Sequence, residues 1–415
     1  MYVCLIRPPS PELLNDRIDP PTGLLYLGTA LKRYGHQVKI LDFAGGQHPE
    51  IPDADIYGFT LYTTSYPDAL VIRDQIRERS FAPIMVGGPH AHALPKETAQ
   101  DFDYVVVGEA EQTIPPLIER MAGRTHLEKI VHTVPPRRLS ELPYNDYSLV
   151  AVASYNRVVS GETAFSILSG RGCPWECTYC YTAALQEVVR MRSPEHVMGE
   201  LYQLDQEYGV SAVRFIDDNF LMNRRFLRDI APMLKEFGRP YRVYGRAQDL
   251  NQETVALLAG SGCVMVGCGV ESGSQAMLDK MNTGKSVAKM TEGIRLAHEA
   301  GIRIRAGLIV GFPGETWETV RESVENLTRM KIDSYNLFNF IPLPGTDPFN
   351  HPEKYGITWI SRNWKDFYVL HGNNEGAYAF EHETLGRKAL AKMRVYMIEE
   401  LSKGFMPSQD DTRFK

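Results

Sequence analysis

What this chain has little of narrows its function before any motif is considered. Lys and Arg number 45 against 51 Asp and Glu, a formal net charge of −6. No block of basic residues occurs that could track a phosphate backbone, so nucleic acid is not an expected partner. No stretch approaches the roughly 18 apolar residues of a membrane span. The apolar start, Met1 to Ile6, is short and broken by Arg7, so no signal peptide is expected and the protein is read as cytoplasmic, with no membrane partner. Cysteine is scarce, six in 415 residues. Cys4, Cys263 and Cys268 sit in strand-like apolar runs and read as small core residues. The hydrophobic fraction of 43% is enough for sizeable cores, and the length suits two or three domains.

The other three cysteines are close together. Gly170-Arg171-Gly172-Cys173-Pro174-Trp175-Glu176-Cys177-Thr178-Tyr179-Cys180-Tyr181 spaces them C-x3-C-x2-C. A structural zinc site usually closes with four ligands, and neither a fourth Cys nor a His lies nearby. An iron–sulfur cluster held by three thiolates instead leaves one iron open to bind something else. The run from Phe165 to Gly170 reads as a buried strand ending in small residues, which puts the cysteines on the loop at a strand's carboxyl end. α/β folds keep their chemistry there.

This loop resembles that of the radical S-adenosylmethionine (SAM) superfamily. The resemblance implies a [4Fe-4S] cluster held by Cys173, Cys177 and Cys180, SAM chelated to the open iron through its amino and carboxylate groups, and Tyr179 beside the adenine.

Before the cysteines, residues 1 to about 125 alternate short apolar strands with helical patterns, which predicts a parallel, Rossmann-like sheet. Asp19-Pro20-Pro21-Thr22-Gly23-Leu24-Leu25, Gly87-Gly88-Pro89-His90 and Gly108-Glu109-Ala110-Glu111 resemble the N-terminal cobalamin-binding-type domain of one class of radical SAM enzymes. The pattern departs from that domain after the second strand. Ten residues, Phe43 to Pro52, separate Asp42 from Asp53, and they include two Gly and two Pro. That is too little for the usual crossover helix, so no helix is expected there and one sheet face should be less covered. No Asp-x-His-x-x-Gly motif occurs, and His90 and His92 read as loop residues. Tyr62 and Tyr66 would place bulk where a corrin needs space. Cobalamin is therefore possible but not favoured.

Residues 126–159, rich in Pro and polar residues, read as a linker. From 160 to 346 six strands alternate with five helices, which predicts a partial (β/α)6 barrel with its chemistry at the strand ends. Residues 347–415, with Trp359, Trp364, Phe367, Tyr368 and His371 and a helix near 385–403, are expected to cap the open bottom or side of the barrel. By resemblance Asp217 and Asp218 lie near the methionine amino group of SAM, and a carboxylate suits an ammonium. Arg246 suits a carboxylate. Glu271 and Ser272 are expected at the SAM ribose or carboxylate, and Gly311 where the backbone nears the adenine. Tyr335, Asn336 and Asn339 on the sixth strand are candidate substrate residues. Each residue also has a plainer reading: either Asp could cap the following helix, and Arg246 could be a surface ion pair.

The expected chemistry is cleavage of SAM to a 5'-deoxyadenosyl radical that abstracts hydrogen from a small molecule. The electron would come from an external reductant such as a flavodoxin or ferredoxin. With the first domain trimmed, the favoured outcome is cobalamin-independent radical dehydration of a hydroxylated, sugar- or aminoglycoside-like substrate, as in the radical SAM diol dehydratase of aminoglycoside biosynthesis. Cobalamin-dependent C-methylation is the alternative. A non-enzymatic iron–sulfur sensor would need the polar strand ends to be accidental. RNA methylthiolation would need further cysteines and an RNA-binding appendage, and neither is visible.

Overall fold

The structure is a computed structural model, and it describes residues 1–10, 16–155, 157–185, 188–368 and 379–407. His371 lies outside the described residues. The chain divides into two compact units. One runs to residue 156 and includes Asn363–Phe367; the other begins at Arg157 and takes most of the rest.

In the first unit the order is β1 (Tyr2–Arg7), α1 (Thr22–Arg33), β2 (Gln37–Asp42), β3 (Ile56–Thr60), α2 (Tyr66–Arg77), β4 (Ile84–Gly87), α3 (Pro89–Ala93), α4 (Pro95–Asp101), β5 (Tyr104–Val107), α5 (Ile118–Ala122) and β6 (Ile130–His132). The strands form one sheet in the order β2-β1-β3-β4-β5-β6, parallel throughout. Its central strands are buried on both faces, as parallel strands between helical layers must be: Val3, Cys4, Leu5 and Ile6 are all fully buried.

The short connection after β2 contains no α-helix, only a 3-10 turn at Ala44–Gly46. Side chains hold it. Asp16 accepts the Gly45 amide, and Arg17 donates to the Ala44 carbonyl at 3.1 Å. β2 and β3 are not neighbours; they flank β1, so the connection crosses one strand. Val38 and Ile40 of β2 pack beneath Gly28 of α1, whereas Gln37 and Lys39 on the other face are exposed, the side a crossover helix would have covered.

Residues 126–155 are not a linker. β6 extends the sheet. Leu149 reaches the Gly28 position of α1, Asp146 pairs with Lys32, and Tyr155 donates to Asp42 at 2.7 Å. The apolar and aromatic side chains in this Pro-rich stretch anchor it to the first unit. Asn363–Phe367 also belongs to that unit and not to a barrel cap: Trp364 sits 5.0 Å from the His90 ring, and Lys365 pairs with Asp68 at 3.4 Å. His90 is a buried residue of α3, not a loop residue, and burial holds its imidazole down at about 4.

The second unit contains β7 (Val158–Val159), β8 (Glu162–Ile167), β9 (Gly170–Arg171), α6 (Tyr181–Ala184), β10 (Arg190–Met191), α7 (Pro194–Tyr208), β11 (Ala212–Phe215), α8 (Arg224–Phe237), β12 (Tyr241–Gly245), α9 (Gln252–Gly260), β13 (Cys263–Glu271), α10 (Gln275–Lys280), α11 (Val287–Glu299), β14 (Arg303–Val310), α12 (Trp317–Met330), β15 (Ser334–Asn339), α13 (Asp347–Asn350), β16 (Ile357–Ile360), β17 (Phe380–His382), α14 (Arg387–Leu401) and β18 (Met406–Pro407). β8 and β11 to β15 run parallel with helices between them, the expected partial (β/α)6 barrel, and β7 and β18 extend it at the two edges. α7, α8, α9, α11 and α12 each start at a side-chain cap: Ser193, Asn223, Asn251, Ser286 and Thr316 each accept an amide of the first turn. α14 does not plug the bottom. It lies against the outer face of β14 and β15, where Arg394 donates to the Leu337 carbonyl at 2.7 Å. Cys263 and Cys268 are buried in the core, and burial pushes both thiols up to about 12, as it does for Cys4.

Candidate active site

The cysteine loop leaves β8 through Ser169, and Asp217 at the end of the neighbouring β11 pins it. The Asp217 carboxylate accepts the Ser169 amide at 3.1 Å and the Ser169 hydroxyl at 2.6 Å. Burial pushes the Asp217 carboxyl up to about 6. Its lone pairs are spent on the loop's backbone, so Asp217 acts as a structural post. Asp218, the next residue, is exposed, accepts from Thr182 at 3.1 Å, and lies within electrostatic reach of Cys173 and Cys180. A second post stands behind the loop: Arg192 pairs with Glu200 at 2.6 Å, both buried, and donates to the Leu168 carbonyl at 2.8 Å.

On its other side the loop is clamped by the turn between α10 and α11. Thr178 donates its amide to the Met281 carbonyl at 3.1 Å, and Asn282 donates to the Glu176 carbonyl at 2.9 Å. Trp175 lies against Gly284, and the Arg246 guanidinium stacks over its ring, 3.6 Å from the centroid. Arg246 is therefore buried inside the site, not a surface ion pair.

Glu271 shows why strand-end chemistry needs local irregularity. The β13–β14 register slips between Gly269 and Glu271, and Glu271 adopts a left-handed φ of 65°. A bulge re-aims a side chain, and strain of this kind collects at functional sites. The carboxylate folds back over Gly269, where a Cβ would overlap it. It accepts from Lys285 at 2.8 Å and from the Tyr179 hydroxyl. Lys285 was not singled out from the sequence, because it comes from a turn between two helices and has no strand-end position to mark it.

Four expected residues lie elsewhere. Ser272 points to α12, with its hydroxyl 2.8 Å from that of Ser323. Tyr335 faces α14, with its hydroxyl 3.0 Å from Ser402, and Asn339 accepts from Arg394 at 3.3 Å. Both alternate with Asn336 and Phe338 on the opposite strand face. The Gly311 amide is taken by buried Glu315, and the space above its Cα is filled by Leu390. Below the strand ends the bore carries Tyr244, whose hydroxyl receives Arg214 and Arg242 at 2.7 Å and Arg305 at 3.1 Å.

Among the described residues no three His, Cys, Asp or Glu side chains are gathered closely enough to hold a single metal ion. A four-iron cluster takes each thiolate on a different iron, and Cys173, Cys177 and Cys180 offer three thiols on one clamped loop. Burial raises all three thiols, while Arg246 pulls Cys173 and Cys177 the other way and Lys285 does so for Cys177. Fold and site together define an α/β protein whose three-cysteine loop, at the carboxyl end of a barrel strand, offers the donors that an iron–sulfur cluster takes.

Comparison with known proteins makes this specific. The family model described as Radical SAM superfamily matches residues 167–327, and that described as B12 binding domain matches residues 18–118. An uncharacterized methyltransferase of Pyrococcus horikoshii is 28% identical over 89% of this chain and 87% of its own. The bacteriochlorophyllide d C-8(2)-methyltransferase of Chlorobaculum tepidum is 27% identical over 86% and 82%. In fold, the radical SAM methyltransferase TsrM of Kitasatospora setae, solved with tryptophan substrate and a SAM analog, superposes with a TM-score of 0.75 at 18% identity, covering 100% of this chain and 93% of its own. The chain carries a radical SAM domain and, N-terminal to it, a B12-binding domain.

These findings overturn the expectation of radical dehydration: relatives named as methyltransferases or methylases match over 83% to 89% of this chain, and an anaerobic magnesium-protoporphyrin IX monomethyl ester cyclase of Cereibacter sphaeroides over 80%. The case against cobalamin weakens too. Tyr66 does not crowd the sheet edge, because it packs inward with its hydroxyl 2.6 Å from Asp101; Tyr62 stays exposed.

Proposed function

We propose that the protein is a cobalamin-dependent radical SAM methyltransferase acting on a small molecule. The observation that carries this is the likeness, over more than four-fifths of the chain, to methyltransferases, in a protein whose first unit matches the B12-binding domain. When bound, the cluster with SAM supplies reductive cleavage of a sulfonium and cobalamin supplies methyl transfer.

The chain's own residues bind and orient. Cys173, Cys177 and Cys180 hold the cluster. Asp218 faces the ammonium of SAM, and Arg246, with two guanidinium nitrogens left over, faces its carboxylate. Tyr179 and Glu271, joined to each other, border the ribose and adenine, with Lys285 fixing the carboxylate. Asp217 orients the loop and does not touch SAM. In the first unit the turns after β3, β4 and β5 hold the corrin. Gly88, with φ 94° and a missing Cβ that would crowd the Leu61 amide at 2.9 Å, lets backbone come close there. An external one-electron reductant such as a flavodoxin or ferredoxin is the partner. No helix among the described residues is long and apolar enough to cross a membrane, and six cysteines that form no disulfide with one another suit the reducing cytoplasm.

The test is transfer of a deuterated methyl group. Anaerobic protein with reductant, cobalamin and methyl-labelled SAM is given the small-molecule extract of its native cells, and products are searched by mass. A labelled product that requires cobalamin supports the reading. Cleavage of SAM with no label leaving it overturns the reading.

A further inference from the structure

Arg246 carries a charge that nothing beside it neutralises. The residue is 6% exposed and makes one hydrogen bond, from Nη2 to the neutral Thr283 carbonyl at 2.7 Å; Nε and Nη1 are buried without a partner. The acids around it are otherwise engaged or at a distance. Glu271 is paired with Lys285, and Asp249 feels the guanidinium without forming an ion pair with it. Leaving a permanently charged group buried and unpaired is costly, so it persists where something is gained from it. What it faces is the cysteine loop. Its guanidinium lies over the ring of Trp175, which stands between Cys173 and Cys177 in the sequence, an aromatic face that holds a cation in place without cancelling its charge. A Cβ on Gly284, whose φ is 60°, would meet the same indole at 3.6 Å and the Arg246 Nη2 at 3.9 Å, so the turn borders the stack from that side as well.

We propose that the Arg246–Trp175 stack is a positioning device that, before the SAM carboxylate arrives, keeps against the cysteine loop one positive charge that no side chain compensates, and so raises the reduction potential of the SAM-free cluster the loop holds. Reduction adds one electron from the external reductant to the cluster, and the reduced form is the more negative. A fixed cation in a poorly screened site stabilises that form more than the oxidised one. This rests on the reading that the three cysteines hold the cluster, which is checked separately by iron and sulfide content.

The test is the cluster's midpoint potential, read by electron paramagnetic resonance on anaerobic, full-length protein without SAM, so that SAM binding does not enter. Arg246→Gln should keep its iron and lower the reduction equilibrium at least tenfold, about 59 mV for one electron. Arg246→Lys, which keeps the charge, should stay near the parent. An unchanged potential in Arg246→Gln, or an equal fall in Arg246→Lys, overturns the proposal. Should Arg246→Gln hold less than a full cluster, Trp175→Leu replaces it, because it frees the guanidinium to swing away without touching a thiolate. A lowered potential there supports the proposal and an unchanged one overturns it.

Discussion

Replacing Asp217 by Asn tests the strand-end post directly. The carboxylate is fully enclosed, accepts the amide and hydroxyl of Ser169, and is pushed from 3.8 to about 6 by burial. The folded state therefore binds this proton more tightly than the unfolded state does. The stability it contributes is complete below pH 3.8 and is lost as the pH rises through about 6. At about 1.4 kcal/mol per pH unit, the loss on ionisation is about 3 kcal/mol. Asn stays neutral and can still accept the Ser169 amide, while the Ser169 hydroxyl must turn to accept from the new NH2, at a cost of about 1 kcal/mol. The variant should thus be less stable than the parent below about pH 4 and more stable above about pH 7, the two curves crossing between. Urea unfolding of both proteins across that range reads the difference. Parallel curves would show that Asp217 does not titrate on folding and that its burial has been misread.

Cys173→Ala, Cys177→Ala and Cys180→Ala should each lose the normal cluster and form no 5'-deoxyadenosine, whereas Cys263→Ala and Cys268→Ala should keep their iron; iron assay and nucleoside chromatography separate the two groups. Glu271→Gln leaves Lys285 buried without its partner and should cost about 3 kcal/mol in unfolding experiments, most of it recovered in Glu271→Gln with Lys285→Met; a loss below about 1 kcal/mol would place the pair in solvent. Tyr335→Phe removes only the hydroxyl facing α14 and should cost about 1 kcal/mol of stability with SAM cleavage unchanged. A large fall in cleavage would return Tyr335 to the active site.

Composition at the strand ends revealed which elements carry the site; it did not reveal the direction of each side chain. Asp217, Arg246 and Glu271 could be marked as candidates because each charged residue closes an apolar strand; in the structure Asp217 holds the loop through Ser169, while Arg246 and Glu271 are buried beside the loop. On β15 polar residues occupy both alternating faces, so Tyr335 and Asn339 could not be told from Asn336 without the register against β14. Ser272 follows the bulge, and one residue of slip turns it from the bore to α12. The missing helix after β2 could be counted from chain length alone. Its consequence for cobalamin could not, because the inward packing of Tyr66 depends on Asp101, thirty-five residues away. Residues 126–155 read as linker because a three-residue strand such as β6 leaves no periodicity, and the contacts that dock the segment, Lys32 with Asp146 and Asp42 with Tyr155, are far apart in sequence.

The central claim is that this chain carries an iron–sulfur cluster in its barrel and a corrin on its parallel sheet. Iron, sulfide and cobalt measured on one sample, purified anaerobically from cells supplied with hydroxocobalamin, test it without knowledge of the methyl acceptor. The account predicts about four iron and about one cobalt per chain. A full complement of iron and sulfide with no cobalt would contradict it.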